Sequence, residues 1–188
     1  SAASDVYKRQ DDTSMALAIA EGILERNGEF DPHLIMENFV SWMTDGEFSS
    51  TGTCFDIGMT CQMALGTYRK DKSNPYCGPT DPYSAGNGAL MRTAPVIIAA
   101  RDEREAIENA LLQTRLTHGC TECLQYSEAF ARELWVGQAL KEYRHLKLPT
   151  DTHHKEVKSG GYVKETYQCA CCLLYTSPSP RDLRLSRM

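Results

Sequence analysis

Apolar residues recur at helical spacing through most of this 188-residue chain, and this periodicity constrains the fold more than any other feature. The clearest case begins near Thr13, where Met15, Ile19 and Ile23 would share one face and Asn27-Gly28 would end the helix. The same spacing predicts further helices beginning near Pro32, Ile57, Asp102, Thr121 and Tyr162. No segment combines sustained alternation with β-branched residues, so strands are not predicted. We expect an all-α fold of about six or seven helices, with the functional residues in the loops.

Length and composition fit a single domain of ordinary size. Hydrophobic residues make up 41% of the chain and charged residues 24%, and the net charge of −5 gives no general attraction to nucleic acid or anionic lipid. No apolar run approaches the roughly 20 residues that cross a bilayer, and the first residues lack a signal core. Eight cysteines scattered through helix-like segments indicate free thiols rather than a disulfide framework. We expect a cytoplasmic protein without membrane or direct nucleic-acid contacts.

The two ends of the chain differ in pattern from the rest. Residues 1–10 have no apolar periodicity, and residues 172–188 combine two prolines, a serine-rich patch and three arginines. Both stretches resemble translated sequencing-adapter read-through. We expect 1–10 to be a non-native leader, 11–171 to be the domain and 172–188 to be a non-native tail; natural disordered termini are the alternative.

Two adjacent carboxylates, Asp11 and Asp12, stand directly before the first predicted helix. One acid would cap the helix and interact favourably with its dipole, which leaves the other as a solvated charge. Alternatively, both are oxygen ligands of hard divalent cations. Neighbouring residues in a helix point about 100° apart, so each carboxylate could reach a different ion.

The stretch "AGNGALMR", residues 85–92, contains two glycines around Asn87. Such a loop lets the backbone approach a ligand closely and exposes amide N–H groups, and a helix starting just after Gly88 would add an anion site. Arg92 would then make a bidentate phosphate contact or pair with a buried carboxylate. An ordinary turn is the alternative.

The stretch "RLTHGCTEC", residues 115–123, contains a histidine and two cysteines. His118, placed at the start of a helix, would donate to a ligand oxygen or cap the helix. Cys120 and Cys123 have the spacing of a zinc knuckle, with further cysteines in residues 169–172, but two core positions in one helix explain them more simply.

Five stretches, taken together and in this order, resemble the ADP-ribosylglycohydrolase family, which includes the dinitrogenase-reductase-activating glycohydrolases. They read "QDDTSM", "STGTCFDIG", "SAGNGALMRTAPV", "RLTHG" and "SGGYV" and extend over most of the chain. The resemblance implies a compact all-α domain with two neighbouring Mg²⁺ (or Mn²⁺) ions in a central cleft. It also implies hydrolysis of the bond between ADP-ribose and a protein side chain or a related small acceptor.

The resemblance also assigns roles to individual residues. Asp11 and Asp12 match the metal-binding acids, which serve catalysis, and Asp11 is expected to contact substrate as well. His118 matches a ligand-contacting histidine, and Tyr162 is expected to line the pocket. The loop that lines the ADP-ribose site corresponds to Gly86, Asn87, Gly88, Ala89, Leu90, Met91 and Arg92.

This sequence departs from the family pattern at both ends. Gln10 stands where the family has threonine, and the early glycine-rich motif and the C-terminal Asp-x-Asp-Thr motif are absent. We therefore expect an incomplete domain that binds metal weakly and turns over poorly, whereas the intact enzyme is a hydrolase. Two alternatives stay open: an ADP-ribose-binding or structural member without catalysis, and a zinc-stabilised helical interaction domain.

Overall fold

A computed structural model describes residues 11–140 and 161–176 of the chain, and side chains for residues 11–137 and 161–171. These residues form eight α-helices and one 3₁₀ helix (Pro82–Ser84). The α-helices are α1 (Asp11–Glu25), α2 (Pro32–Asp45), α3 (Met59–Lys70), α4 (Gly88–Met91), α5 (Ala94–Ala99), α6 (Glu103–Thr117), α7 (Thr121–Leu140) and α8 (Val163–Thr176). The described residues contain no strand, and the all-α prediction is confirmed.

The first two helices begin and end where local chemistry predicts. The Asp31 carboxylate accepts the backbone N–H groups of His33 and Leu34 at 3.0 and 3.1 Å and so caps α2, and Gly46 ends that helix at a left-handed φ of 75°. Helices α1 and α2 then pack so closely that a Cβ atom on Gly22 would stand 2.9 Å from Ile35 Cγ1.

The predicted helix number, six or seven, is too low. Residues 88–99 form two short helices, α4 and α5, separated at Arg92 and Thr93. Pro95 in the first turn of α5 lacks an N–H group and favours a helix start there. Helices of four and six residues are too short to show a 3.6-residue period, so the spacing of apolar residues did not predict them separately.

Two hydrophobic cores meet at the segment between α3 and α5. The larger core packs α1, α2, α3, α5 and α6 around Phe39, Trp42 and Leu65. The smaller core joins residues 85–90 to α7 and α8 through Leu90, and Tyr167 stacks at 5.3 Å on Tyr126. The glycine-bearing stretch is therefore supported from both sides.

Some predictions fall outside the described part of the chain. The non-native leader at 1–10 and most of the tail at 172–188 lie there, although α8 continues to Thr176. The seven cysteines with described side chains are free thiols, as predicted. Within the described ranges, no helix is both long and apolar enough to cross a membrane.

Candidate functional site

The glycine loop, residues 85–88, is held by the segment that opens α8. The Asn87 N–H donates to the Gly161 carbonyl at 3.0 Å, and the Val163 N–H donates to the Ala85 carbonyl at 3.1 Å. These two bonds flank an antiparallel bridge between Gly86 and Tyr162. Two motifs that are far apart in sequence thus build one surface.

A side-chain bond adds to this attachment. The Asn87 amide Nδ2 donates to Thr166 Oγ1 at 3.0 Å, one turn into α8. Asn87 precedes α4 but makes no side-chain cap for it. Its side chain therefore orients the loop rather than starting the helix.

The two glycines of the loop pack against His118. A Cβ atom on Gly86 would stand 3.2 Å from His118 Nε2, and one on Gly88 would stand 3.0 Å from Cε1 of the same ring. The Gly88 position also lies 3.2 Å from Cys61 Sγ. A Cβ atom at either position would therefore be tight, and the His118 ring or Cys61 would have to move by a few tenths of an ångström to admit it.

His118 lies in a turn and not at the start of a helix, as the sequence had suggested. It follows α6, and its N–H donates to the Thr114 carbonyl at 2.8 Å. The side chain is only 2% exposed, and Nδ1 lies 2.8 Å from Thr117 Oγ1. Burial, and then the charge of Arg92, lowers the pKa of His118 to about 3. The imidazole is therefore neutral at physiological pH.

Arg92 is a fully buried core residue, so the predicted phosphate contact is wrong; no described carboxylate is hydrogen-bonded to it, although the charge of Asp11 raises its pKa against the lowering by burial. Its guanidinium is 0% exposed and lies 4.6 Å from the centre of the Phe39 ring. Nε donates to Gln113 Oε1 at 2.9 Å, and Nη2 donates to the Gln113 carbonyl at 3.0 Å and to Thr117 Oγ1 at 2.6 Å. Nη1 points at Met15 Sδ, 3.3 Å away. Arg92 therefore lies in the core and contacts the site through Thr117, which lies next to His118.

Helix α4, which follows the loop, was expected to line the ligand site, but most of its side chains are buried. The Ala89 and Leu90 side chains are buried, and only Met91 is partly exposed. The Ala89 carbonyl accepts from Gln113 Nε2 at 3.0 Å, which joins α4 to α6. Helix α4 has four residues, so its dipole is much smaller than that of a long helix. The Leu90 N–H is also engaged, since it donates to the Asn87 carbonyl at 2.8 Å.

The paired aspartates occupy the first turn of α1, where both side chains are half-buried. The Asp12 N–H donates to Asp11 Oδ1 at 2.9 Å. The charge of Asp11 reinforces burial in raising the pKa values of the Cys54 and Cys61 thiols. Asp11 therefore lies near enough to Cys54 and Cys61 for its charge to act on both thiols.

The aspartates are suited in kind to a hard dication, because their carboxylate oxygens are hard ligands. Mg²⁺ takes about six oxygen ligands, of which one or two are commonly carboxylates and the rest are water or substrate oxygens. Among the described side chains, those of residues 11–137 and 161–171, no three histidine, cysteine or acidic groups come together as metal ligands. Asp11 and Asp12 could thus hold part of such a coordination shell.

Tyr162 is 40% exposed beside the loop. Its phenol donates a very short hydrogen bond to Oε1 of Glu122, in the first turn of α7. This bond, followed by desolvation and by the charge of Glu122, raises the pKa of Tyr162 to about 12. Glu122 was not predicted as a site residue, because no local pattern relates it to a tyrosine 40 positions further along the chain.

Cys120 and Cys123 belong to the smaller core beneath the loop. The Cys123 thiol donates to the Gly86 carbonyl at 3.4 Å, and burial raises its pKa, so the proton is retained. No zinc ligand set is formed by the described side chains. The packing interpretation of these cysteines fits the structure.

Comparison with known proteins gives a consistent result. A family model described as ADP-ribosylglycohydrolase matches residues 8–135. The chain is 30% identical to the ADP-ribosylarginine hydrolase Tri1 of Serratia proteamaculans, over 92% of this chain and 51% of that protein. It is 32% identical to the ADP-ribosyl-[dinitrogen reductase] glycohydrolase of Rhodospirillum rubrum, over 84% of this chain and 54% of that protein.

A solved structure described as an ADP-ribosylglycohydrolase-related protein complex superposes with a TM-score of 0.61 at 28% identity. The match covers 88% of this chain and 57% of that chain. The present chain spans about half the length of the curated relatives it matches. By the family match and these relatives, the chain belongs to the ADP-ribosylglycohydrolase family.

Proposed function

We propose that this chain carries part of the site of a hydrolase that removes ADP-ribose from a modified protein side chain or a related small acceptor. One observation carries the proposal. The glycine loop packs on the neutral, buried His118 and on Cys61, whose thiol pKa is raised in part by the charge of Asp11. The relatives' names agree, since they act on ADP-ribosylarginine and on ADP-ribosyl-dinitrogen reductase.

The pyrophosphate would meet the start of α4. The Gly86 and Asn87 amides already donate to the Ser84 and Gly161 carbonyls, at 2.8 and 3.0 Å. The N–H groups of Gly88 and Ala89 stand in the first turn, where a helix offers no internal acceptor. These two amides are the donors that we assign to a phosphate oxygen.

His118 would act by hydrogen bonding and not by charge. A ring with a pKa of about 3 is uncharged at neutral pH, so it does not serve as an imidazolium acid. Its Nε2 edge lies against the glycine loop, where a ligand oxygen would come within reach.

Asp11 and Asp12 would stabilise the charge that develops in the reaction. Cleavage of the ribosyl C1 bond builds positive charge on the sugar, and nearby carboxylates lower the energy of that state. We assign both residues as ligands of Mg²⁺ or Mn²⁺, two ions in the intact enzyme, which when bound supply Lewis-acid stabilisation and a more acidic water. The cytoplasmic location stays a prediction.

Calorimetric titration of the 188-residue chain with ADP-ribose, with and without excess Mg²⁺, tests the proposal. We expect metal-dependent binding that Asp11→Asn weakens at least about tenfold, because the variant removes a charged oxygen ligand. Asp45→Asn is the matched control, since Asp45 is exposed at the end of α2.

Other outcomes point elsewhere. Absence of ADP-ribose binding in both conditions contradicts the proposal. Binding that ignores metal and the Asp11→Asn change favours a non-catalytic binding member, and one zinc per chain in elemental analysis favours the zinc-stabilised domain. Efficient hydrolysis of ADP-ribosylarginine by this chain would contradict the expectation that it turns over poorly alone.

A further inference from the structure

Three buried side chains form a continuous chain of hydrogen bonds that ends at the ligand-facing histidine. Arg92 Nη2 donates to Thr117 Oγ1 at 2.6 Å, and Thr117 Oγ1 lies 2.8 Å from His118 Nδ1. None of the three side chains is more than 2% exposed. Solvent therefore does not compete for these bonds.

The direction of each hydrogen bond in this network follows from the number of protons that its groups can donate. A guanidinium only donates hydrogen bonds, so the Thr117 oxygen must accept from Arg92. The hydroxyl has one proton of its own to give. Two groups are near enough to receive it: His118 Nδ1 and the Cys61 thiol.

Imidazole nitrogen is the better acceptor of the two. A thiol sulfur accepts hydrogen bonds weakly, and burial raises the pKa of Cys61, so the sulfur keeps its proton. The Cys61 sulfur is also 4.0 Å from Arg92 Nη1, which already donates toward it. The Thr117 proton therefore goes to Nδ1.

We propose that Arg92, acting through Thr117, fixes His118 in the tautomer that carries its proton on Nε2. The Nε2–H group then faces the glycine loop, 3.2 Å from where a Cβ atom on Gly86 would stand. Arg92 and Thr117 are positioning residues, and the group they present is a neutral donor. Such a donor selects a ligand oxygen with a free lone pair, as in a phosphate, and rejects a cationic donor.

The arrangement also explains why a cation is buried in this core. Gln113 accepts from Nε and Nη2, and the Phe39 face lies under the guanidinium, so the charge is compensated without a hydrogen-bonded carboxylate, and the charge of Asp11 adds to this compensation. A titratable side chain at this position would donate to Thr117 only while it kept its own proton. Arginine keeps its protons throughout the physiological range.

Nitrogen-15 NMR of the imidazole rings in the unliganded 188-residue chain tests the inference, with His118→Gln used to assign the signals. We expect protonated Nε2 and a bare Nδ1 whose resonance shows an accepted hydrogen bond. The free ring already favours this tautomer, so the Nδ1 resonance is the informative one. Thr117→Val should move it to the position of an unbonded nitrogen or produce a tautomer mixture, and Thr117→Ser should restore it.

Thr93→Val is the matched control, because it also removes a buried hydroxyl, one that donates to the Ala89 carbonyl and makes no bond to His118. It should leave the Nδ1 resonance in place. Protonated Nδ1 in the unchanged chain would overturn the inference, as would an Nδ1 resonance that Thr117→Val leaves unaltered. The unchanged chain decides the first point even if Thr117→Val fails to fold.

The ligand-facing part of the inference rests on the proposed function, and the tautomer does not. Addition of ADP-ribose should shift the Nε2 resonance of the unchanged chain. The expected tautomer without that shift would support the effect of Arg92 and Thr117 on His118 and would contradict ADP-ribose as the ligand.

Discussion

Gly78 lies against the backbone of His118 so closely that a Cβ atom at position 78 would stand 2.4 Å from the His118 nitrogen. The same segment is tied down by two backbone bonds, from Gly78 to the Arg115 carbonyl and from Gly119 to the Pro79 carbonyl. The turn that carries the histidine is thus built on a backbone-to-backbone contact that excludes any side chain.

Gly78→Ala should destabilise the protein by about 1–3 kcal/mol, because neither backbone can move without breaking these bonds. Urea unfolding gives the free energy. Gly66→Ala is the control: Gly66 lies within α3 with nothing within 4 Å of an added Cβ atom, and alanine there should be neutral or stabilising. Equal effects of the two changes would contradict the assigned contact.

Arg92→Lys should cost about 2–4 kcal/mol in unfolding free energy. A lysine ammonium cannot reach Gln113, Thr117 and the Phe39 face at once, so buried polar groups lose their partners. The matched change on the surface is Arg132→Lys, where the cation pairs with Glu103 and Glu128 while half-exposed. That change should cost less than about 1 kcal/mol. A small effect at both positions would show that the buried network stabilises little.

Acid should destabilise the protein through His118. The folded-state pKa is about 3 and the ordinary value is 6.5, so the unfolded chain binds a proton that the folded chain refuses. This contribution to stability is complete above pH 6.5 and is lost as the pH falls toward 3, at no more than about 1.4 kcal/mol per pH unit.

Urea unfolding at pH 7, 6 and 5 measures this slope. His118→Gln should flatten it relative to the unchanged chain. Parallel pH curves for His118→Gln and the unchanged chain would refute the neutral, buried imidazole.

Glu122→Gln should lower the pKa of Tyr162 from about 12 toward its ordinary value near 10, because the phenol loses its anionic acceptor. At pH 11 the variant should show up to about one more phenolate per chain in ultraviolet difference spectra. Tyr162→Phe in the same background should remove that signal. Glu128→Gln on the same helix should not produce it, and an identical titration of the Glu122 variant and the unchanged chain would rule out the bond.

Much of the fold followed from local rules. The Asp31 cap, the Gly46 stop and the buried stripe of α1 each depend on interactions within a few residues, which the sequence displays directly. The order of five family motifs added the family, which composition alone did not suggest. The short helices α4 and α5 were not predicted separately, because their formation depends on packing more than on the periodicity of apolar residues.

The site was less predictable, and the reason is distance along the chain. The glycine loop was identified, but its attachment to Gly161 and Thr166 joins residues that no local pattern relates. Arg92 was expected to meet a ligand because arginine is usually exposed or paired with an acid. Its burial became possible through Gln113, a neutral partner that sequence patterns do not mark.

The bridge between Gly86 and Tyr162 sets an order in which the protein can mature during translation. Tyr162 is synthesised 76 positions after Gly86, by the numbering of the two residues, a delay of roughly 4–15 s at ribosomal speed. In that interval the nascent chain already contains Phe39, Arg92 and His118, whereas residues 161–163, which bond to the glycine loop, have not yet been synthesised. The segment that holds the glycine loop is therefore synthesised after residues that pack beneath the loop.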